Sequence, residues 1–280
     1  MRERGLLNML YHLFDYLSAD ISAFNVFRYI TFRIGAATLT AIFISFVVGP
    51  SLISFLTRLR VDQPFQDDGP DHHAKAGTPT MGGLLILLSV LVAVLLWADL
   101  TNRWIWILLG LTTGYGILGL IDDYQKVSKK DNAGISVRMK LIWQFSLAVL
   151  VACAIYFDPG FDNQLTVPFF KNFTPALGLF YIPLAMFIVV GASNGVNLTD
   201  GLDGLAIGPI IIVSGTFLIL AYASGHAKIA DYLAIKSVSG AGELAIFCGA
   251  LVGGGLGFLW FNTFPAAVFM GDVGSLALGG

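Results

Sequence analysis

The sequence predicts an all-α, polytopic transmembrane helical bundle, and three observations carry that reading. Hydrophobic residues make up 56% of the 280 residues and charged residues only 12%, with a mean hydropathy of +0.78, whereas soluble domains carry roughly 25% charged residues. Apolar runs of about 20 residues, long enough to cross a hydrocarbon layer of ~30 Å, recur from one end of the chain to the other. Within each run the apolar character is continuous, unlike barrel strands, which alternate over ~10 residues. This composition excludes an ordinary soluble domain. With a net charge of −2, no nucleic-acid partner is expected.

The chain reads as one integral-membrane domain, 1–280, opened by an amphipathic segment, 1–24. There Leu6, Leu10, Leu13 and Leu17 recur at helical spacing beside Arg2, Glu3, Asn8 and Asp15, the pattern of a helix lying on the membrane surface. The segment lacks a compact apolar core followed by a small-residue cleavage site, so it is expected to stay in the mature protein. Spans are expected at 32–56, 81–97, 104–120, 141–157, 177–190, 206–223 and 244–261. An eighth begins near 275 and stops before it can cross, so the chain reads as truncated. Cys153 and Cys248 fall inside apolar runs and read as packing residues. Gly249, Gly253 and Gly257, four residues apart, read as a close helix-packing face.

Loop charge sets the orientation. Arg58, Arg60, Lys75, Lys126, Lys129, Lys130, Arg138 and Lys140 fall on one face, against Arg103, Lys171, Lys228 and Lys236 on the other, which makes the first face cytoplasmic. Arg2, Arg4, Arg28 and Arg33 of the N-terminal tail oppose this bias. Alternating topology puts the loops 57–80, 122–140, 192–204 and 262–274 on the cytoplasmic face, and these hold the polar motifs of the chain.

Asp122 and Asp123 follow directly on an apolar run. Alone they would pass for solvated carboxylates at a helix end, and adjacent helical residues point about 100° apart, so only one is expected to face a reacting atom. Asn197, Asp200 and Asp203 are spaced three apart and would line one face of a helical turn, able to bind a sugar, orient phosphates or contribute to a magnesium site. Two acids and an asparagine beside apolar spans are expensive unless used. Asp272 lies in Phe-Met-Gly-Asp-Val-Gly-Ser, with the free amides of the following helix pointed at it. Residues 77–83, Gly-Thr-Pro-Thr-Met-Gly-Gly including Thr80, open span two with the same geometry, so both stretches are candidate phosphate cradles. Lys75 adds a point charge. Phe269 offers a stacking face for a nucleobase, although most of the 22 phenylalanines must pack on lipid or helices. His72 and His73 point apart and read as solvated.

Taken together, residues 77–83, Asp122-Asp-Tyr-Gln-Lys126, Asn197-Leu-Thr-Asp-Gly-Leu-Asp-Gly204, and Phe261-Asn-Thr-Phe-Pro-Ala through Phe269-Met-Gly-Asp-Val-Gly-Ser-Leu-Ala-Leu-Gly279 give the sequence a resemblance to the polyprenyl-phosphate N-acetylhexosamine-1-phosphate transferases. It is most similar to the branch whose donor is UDP-N-acetylmuramoyl-pentapeptide. The resemblance spans nearly the whole chain. It implies a ten-span, Mg²⁺-dependent, often homodimeric enzyme of the bacterial inner membrane with its site on the cytoplasmic face. Undecaprenyl phosphate would attack the proximal phosphate of the donor and release UMP.

By motif position, the resemblance implies that Asp272 ligates Mg²⁺, with Asp200 beside it, and that Asp122 and Asp123 handle the lipid phosphate or its proton. Asn197, Asp200 and Asp203 would build the nucleotide site, Phe269 would lie against uracil, and Lys75, Thr80, Lys126 and Asn262 would complete the pocket. The family also has a histidine-rich loop beyond the third aspartate motif, which this sequence does not reach. The 280-residue piece alone is therefore expected to be inactive or incompletely folded.

Three other readings compete. A sibling transferring N-acetylglucosamine-1-phosphate would share the acids and differ in sugar contacts. A transporter needs acids near the midplane, where only Glu243 is a marginal candidate. A non-catalytic scaffold leaves the clustered acids without a role.

Overall fold

The computed structural model describes residues 10, 11, 14, 21–59, 78–129, 134–167, 170 and 173–280. After a 3₁₀ turn at Ser22–Arg28, the helices are α1 (Ile30–Arg58), α2 (Gly83–Trp97), α3 (Arg103–Lys129), α4 (Val137–Tyr156), α5 (Tyr181–Thr199), α6 (Ile207–Ser224), the short α7 (Ala227–Tyr232), α8 (Leu244–Asn262) and α9 (Gly271–Gly279). Among the described residues there is no strand beyond the isolated bridge Gln164–Ala176. Among the described residues six helices are long and apolar enough to cross a membrane: α1, α3, α4, α5, α6 and α8. The chain is therefore a multi-pass, all-α membrane protein. Lys75, His72, His73 and most of the amphipathic segment 1–24 lie outside the described residues. Within that segment, Tyr11 lies under the Arg33 guanidinium at 4.2 Å and Phe14 stacks on Phe27 at 4.0 Å.

Helix ends depart from the sequence expectation where polar side chains find partners. α3 runs on past 120 to Lys129, because Lys126 pairs with Asp122 one turn back and Lys126 and Lys129 complement the C-terminal dipole. α5 starts and ends later than 177–190. Its polar C-terminal turns are satisfied internally, with Asn194 Nδ2 donating to the Val190 carbonyl at 2.8 Å and Thr199 Oγ1 to that of Gly195 at 2.8 Å. α2 starts at Gly83 and has 15 residues, roughly 22 Å of helix. The residues before it are drawn away to pair with 269–270: Gly82 N donates to Phe269 O, Gly83 N to Met270 O and Phe269 N to Pro79 O, each at 2.8 Å.

α8 is packed on several sides. A Cβ on Gly253 would stand 2.2 Å from the Thr38 carbonyl, and one on Gly257 2.4 Å from Ser45 Cβ, so α1 and α8 touch backbone to backbone, as the glycine spacing predicts. At the start of α8, Glu243 receives both guanidinium nitrogens of buried Arg33, at 2.8 and 2.6 Å, and the Asp99 amide at 2.9 Å. This ion pair ties α1, the end of α2 and α8 at one rim of the bundle, which accounts for the one acid that a transporter reading had available.

Candidate active site

At the other rim, α9 is wedged between α2 and α3 through three glycines. A Cβ on Gly83 would lie 2.2 Å from Gly274 N, and one on Gly119 2.1 Å from the Asp272 carbonyl oxygen. Gly271 has φ +72 and a Cβ there would sit 2.6 Å from Asp123 Oδ2 and 2.8 Å from Thr80 Oγ1, so only glycine fits by both conformation and space. The first turn of α9 is thereby laid across the carboxylates of α3, and the Val273 amide, expected to be free for phosphate, donates instead to Asp123 Oδ2 at 3.1 Å.

Asp122, Asp123 and Asp272 are all buried, and each offers a carboxylate oxygen within 4.8 Å of the others. Sequence reasoning expected only one of the adjacent acids to face the site. Both do, because α9 approaches between their two directions. Asp122 Oδ1 accepts from the Ile135 amide at 2.8 Å. Its Oδ2 meets Lys126 Nζ at 2.8 Å and Lys140 Nζ at 3.1 Å. The same ammonium groups reach Asp272 Oδ2 at 3.1 and 2.8 Å.

Lys140 is the residue sequence reasoning missed, counted there only as loop charge. Its signal was available: it stands in the first turn of α4, where the helix dipole disfavours a cation unless acids lie opposite. Gly119 left no comparable trace, since its partner Asp272 is far away in sequence.

Asn197, Asp200 and Asp203 do not share a helical face, as had been expected. α5 stops at Thr199 and Gly204 takes φ +73, so the carboxylates part along the 262–272 loop. Asp200 accepts from the Gly271 amide, and burial together with the neighbouring Asp272 carboxylate pushes its carboxyl up to about 7. Asp203 Oδ2 accepts from the Ala266 amide at 3.2 Å. Asn262 clamps the two loops: its Oδ1 accepts from Gly204 N at 3.0 Å and its Nδ2 donates to Val268 O at 2.9 Å. Asn197 stays half-buried on the last turns of α5, and Phe269 is half-buried with its backbone fixed by Pro79 and Gly82. The amides of Gly82 and Gly83, expected to cradle phosphate, are instead occupied by the 269–270 carbonyls.

This donor set suits a hard divalent cation. Among the described residues, Asp123 Oδ1 and Thr80 Oγ1 are buried oxygens with no hydrogen-bond partner, Lys126 Nζ standing 4.0 Å from the former. The three clustered carboxylates, Asp122, Asp123 and Asp272, outnumber the two ammonium groups that reach them, and Asp200 lies beside Asp272, so the site keeps a negative balance. Clustered carboxylate and hydroxyl oxygens are what Mg²⁺ or Ca²⁺ prefers. A separate cavity of about 770 Å³ lies between α3, α5, α6, α8 and α9. Its lining is mostly apolar and includes none of these carboxylates, so the chemistry does not lie in it.

Comparison with known proteins adds a second line. Residues 105–280 match the model of glycosyl transferase family 4, and residues 75–87 match phospho-N-acetylmuramoyl-pentapeptide-transferase signature 1. Proteins named phospho-N-acetylmuramoyl-pentapeptide-transferase are similar along nearly the whole chain. The one from Pelobacter propionicus is 54% identical over 273 residues, covering 97% of this chain and 76% of the relative. That from Geobacter sp. strain M21 is 54% identical over the same span and coverage. That from Nitratidesulfovibrio vulgaris strain DP4 is 55% identical over 272 residues, again 97% and 76%.

Proposed function

The chain belongs to glycosyl transferase family 4 and, within it, to the phospho-N-acetylmuramoyl-pentapeptide-transferases, and from that premise we propose that it moves phospho-N-acetylmuramoyl-pentapeptide from UDP to undecaprenyl phosphate. The product is the first lipid-linked peptidoglycan precursor and UMP leaves. The observation that supports this reading most directly is the convergence of Asp122, Asp123 and Asp272 with Lys126 and Lys140 at one rim of a membrane bundle. The enzyme acts in the inner membrane, with this rim cytoplasmic, and as a homodimer.

The reaction brings two polyanions together, so positioning and charge neutralisation supply most of the catalysis. A phosphate oxygen of the lipid attacks the sugar-bearing phosphorus of the donor in line. The new P–O bond forms as the P–O bond to UMP breaks. Lys126 and Lys140 release their carboxylate partners and take the non-bridging oxygens of the incoming phosphates. Asp122 and Asp123 orient the acceptor phosphate and accept its proton. Asn197, Asp200 and Asp203 hold the nucleotide, with Phe269 stacked on uracil. Lys75 and Thr80 contact the donor's phosphates, and Asn262 keeps the two loops in register. Asp272, Asp200 and the unpartnered Asp123 Oδ1 would hold Mg²⁺, which supplies Lewis-acid stabilisation of the pyrophosphate oxygens when bound. Direct attack is favoured over an aspartyl-phosphate route. Backbone amides hold one oxygen of Asp122 and one of Asp123, which weakens those oxygens as nucleophiles.

The test is UMP release by the full-length protein in detergent, with UDP-N-acetylmuramoyl-pentapeptide, undecaprenyl phosphate and Mg²⁺, beside Asp272→Asn. Lipid-dependent release that the variant loses is expected. Activity with UDP-N-acetylglucosamine alone would move the protein to the sibling activity, and no release from folded protein would sink the transferase reading.

A further inference from the structure

The segment joining α4 to α5 lies at the rim opposite the carboxylates, and its described ends run antiparallel as a minimal hairpin around the single bridge Gln164–Ala176. Leu165 N donates to Pro175 O and Leu177 N to Asn163 O, each at 3.0 Å. An isolated two-stranded hairpin is marginal in water and needs an apolar face covered. Its base is held to the bundle by rings: Phe161 lies 4.6 Å from Tyr181 and 6.4 Å from Tyr156, the residues that begin α5 and end α4.

Charge and apolar surface are segregated on this hairpin. Asp158 is paired with Arg103 of α3, and Asp162 with Lys236 from the turn after α7. Lys236 also donates to Gln164 Oε1 at 3.3 Å, which ties the α7 region to the hairpin. The apolar residues are left outside: Phe157, Phe170, Phe173 and Phe180 are 72%, 64%, 61% and 62% exposed, and Tyr232 at the end of α7 is 88% exposed. So much aromatic surface is costly in water.

From this we infer that the hairpin and α7 form one aromatic platform that lies in the headgroup region of the leaflet opposite the carboxylates, anchoring the bundle in depth. Three observations select lipid over another occupant. The platform is continuous along the chain with the exposed, lipid-facing residues of α4 and α5, such as Leu150, Phe187 and Ile188. Asp158 and Asp162 each have a cation partner, and α7 carries one base, Lys228, beside one acid, Asp231, so little net charge opposes insertion. Tyrosines stand at the helix ends on this rim, Tyr156 closing α4, Tyr181 opening α5 and Tyr232 closing α7, and tyrosine is a residue of the interfacial belt, where its ring sits at headgroup level. The inference is independent of the reaction.

The test is depth measurement by spin label in the full-length protein, with Cys153 and Cys248 replaced by alanine. Labels at Phe173→Cys and, separately, Tyr232→Cys are placed in nanodiscs of phosphatidylethanolamine and phosphatidylglycerol. Collision rates with oxygen and with a water-soluble nickel chelate are then compared with those at Lys129→Cys on the opposite face. Retained transferase activity certifies the fold of each variant. A several-fold higher oxygen-to-nickel ratio at 173 and 232 than at 129 is expected. A ratio equal to that at 129 means both sites are in water and overturns the inference. Low collision with both reagents also overturns it, in favour of a protein surface.

Discussion

Gly119→Ala isolates the helix contact on which the carboxylate cluster depends. An alanine Cβ would stand 2.1 Å from the Asp272 carbonyl oxygen and 2.4 Å from its carbonyl carbon. Both are backbone atoms, so no side chain can swing away. Restoring ordinary contact at 3.4 Å requires α9 to retreat from α3 by about 1.3 Å. That shift carries Asp272 away from Asp122, Lys126 and Lys140, and displacement of about 1 Å in a catalytic group can lower a rate about 10²-fold. Overpacking adds about 1–3 kcal/mol of destabilisation.

Gly110→Ala on the same helix is the control, because nothing lies within 4 Å of its Cβ position and the helix gains at most about 1 kcal/mol of propensity. The assay is UMP release at saturating substrates, beside binding of Mn²⁺ in place of Mg²⁺ followed by electron paramagnetic resonance. Gly119→Ala should lose about 10²-fold in turnover and bind the metal more weakly, while Gly110→Ala matches wild type. Wild-type turnover and metal binding in Gly119→Ala would refute the wedge geometry.

Lys140→Met should lower kcat about 10²-fold or more, as removal of one electrostatic donor does, while Lys129→Met, whose exposed ammonium donates to Gln125 Oε1, leaves UMP release unchanged. Asn262→Ala frees the 204 and 268 loops from each other and should raise KM for the nucleotide-sugar more than it lowers kcat, read from steady-state kinetics. Asp200, held up at about 7 without metal, binds a proton below that pH, so divalent-ion affinity should weaken as pH falls from 8 to 6. A binding isotherm series on Asp200→Asn should show a flatter dependence. Arg33→Met leaves half-buried Glu243 without its cation and should destabilise the fold by about 3 kcal/mol, whereas the Arg33→Met/Glu243→Met pair recovers most of that in thermal unfolding.

The acids of the site were legible because lipid makes them so: Asp122, Asp123, Asp200 and Asp272 sit where apolar runs end, and unused carboxylates there are expensive. Span positions were legible for the same reason, through uninterrupted apolar length. Helix ends were less so. The extension of α3 to Lys129 and of α5 to Thr199 depends on partners, Lys126 for Asp122 and Val190 O for Asn194, that hydropathy does not register. The role of Gly82 and Gly83 was misjudged because a glycine-rich stretch before a helix reads the same whether its amides await phosphate or already bond 269–270. Gly119 acts through a contact with Asp272 more than a hundred residues away, which no local pattern encodes, and Lys140 left only the local trace of a cation in the first turn of a helix.

The arrangement explains how adjacent acids on one helix can work together when their side chains diverge. A single approaching surface cannot face both, but a helix N-terminus offers amides and a positive dipole end over a wide angle. Seating that terminus against α3 needs backbone-to-backbone contact, which Gly119 and Gly83 permit, and a left-handed turn before it, which Gly271 supplies. Once seated, it brings Asp272 beside Asp122, and two ammonium groups hold the pair together without quenching the whole cluster. The carboxylates outnumber the ammonium groups, so cation binding relieves repulsion that the fold itself imposes. The same close packing that lets the bundle form in lipid thus also prepares the charge that the reaction needs.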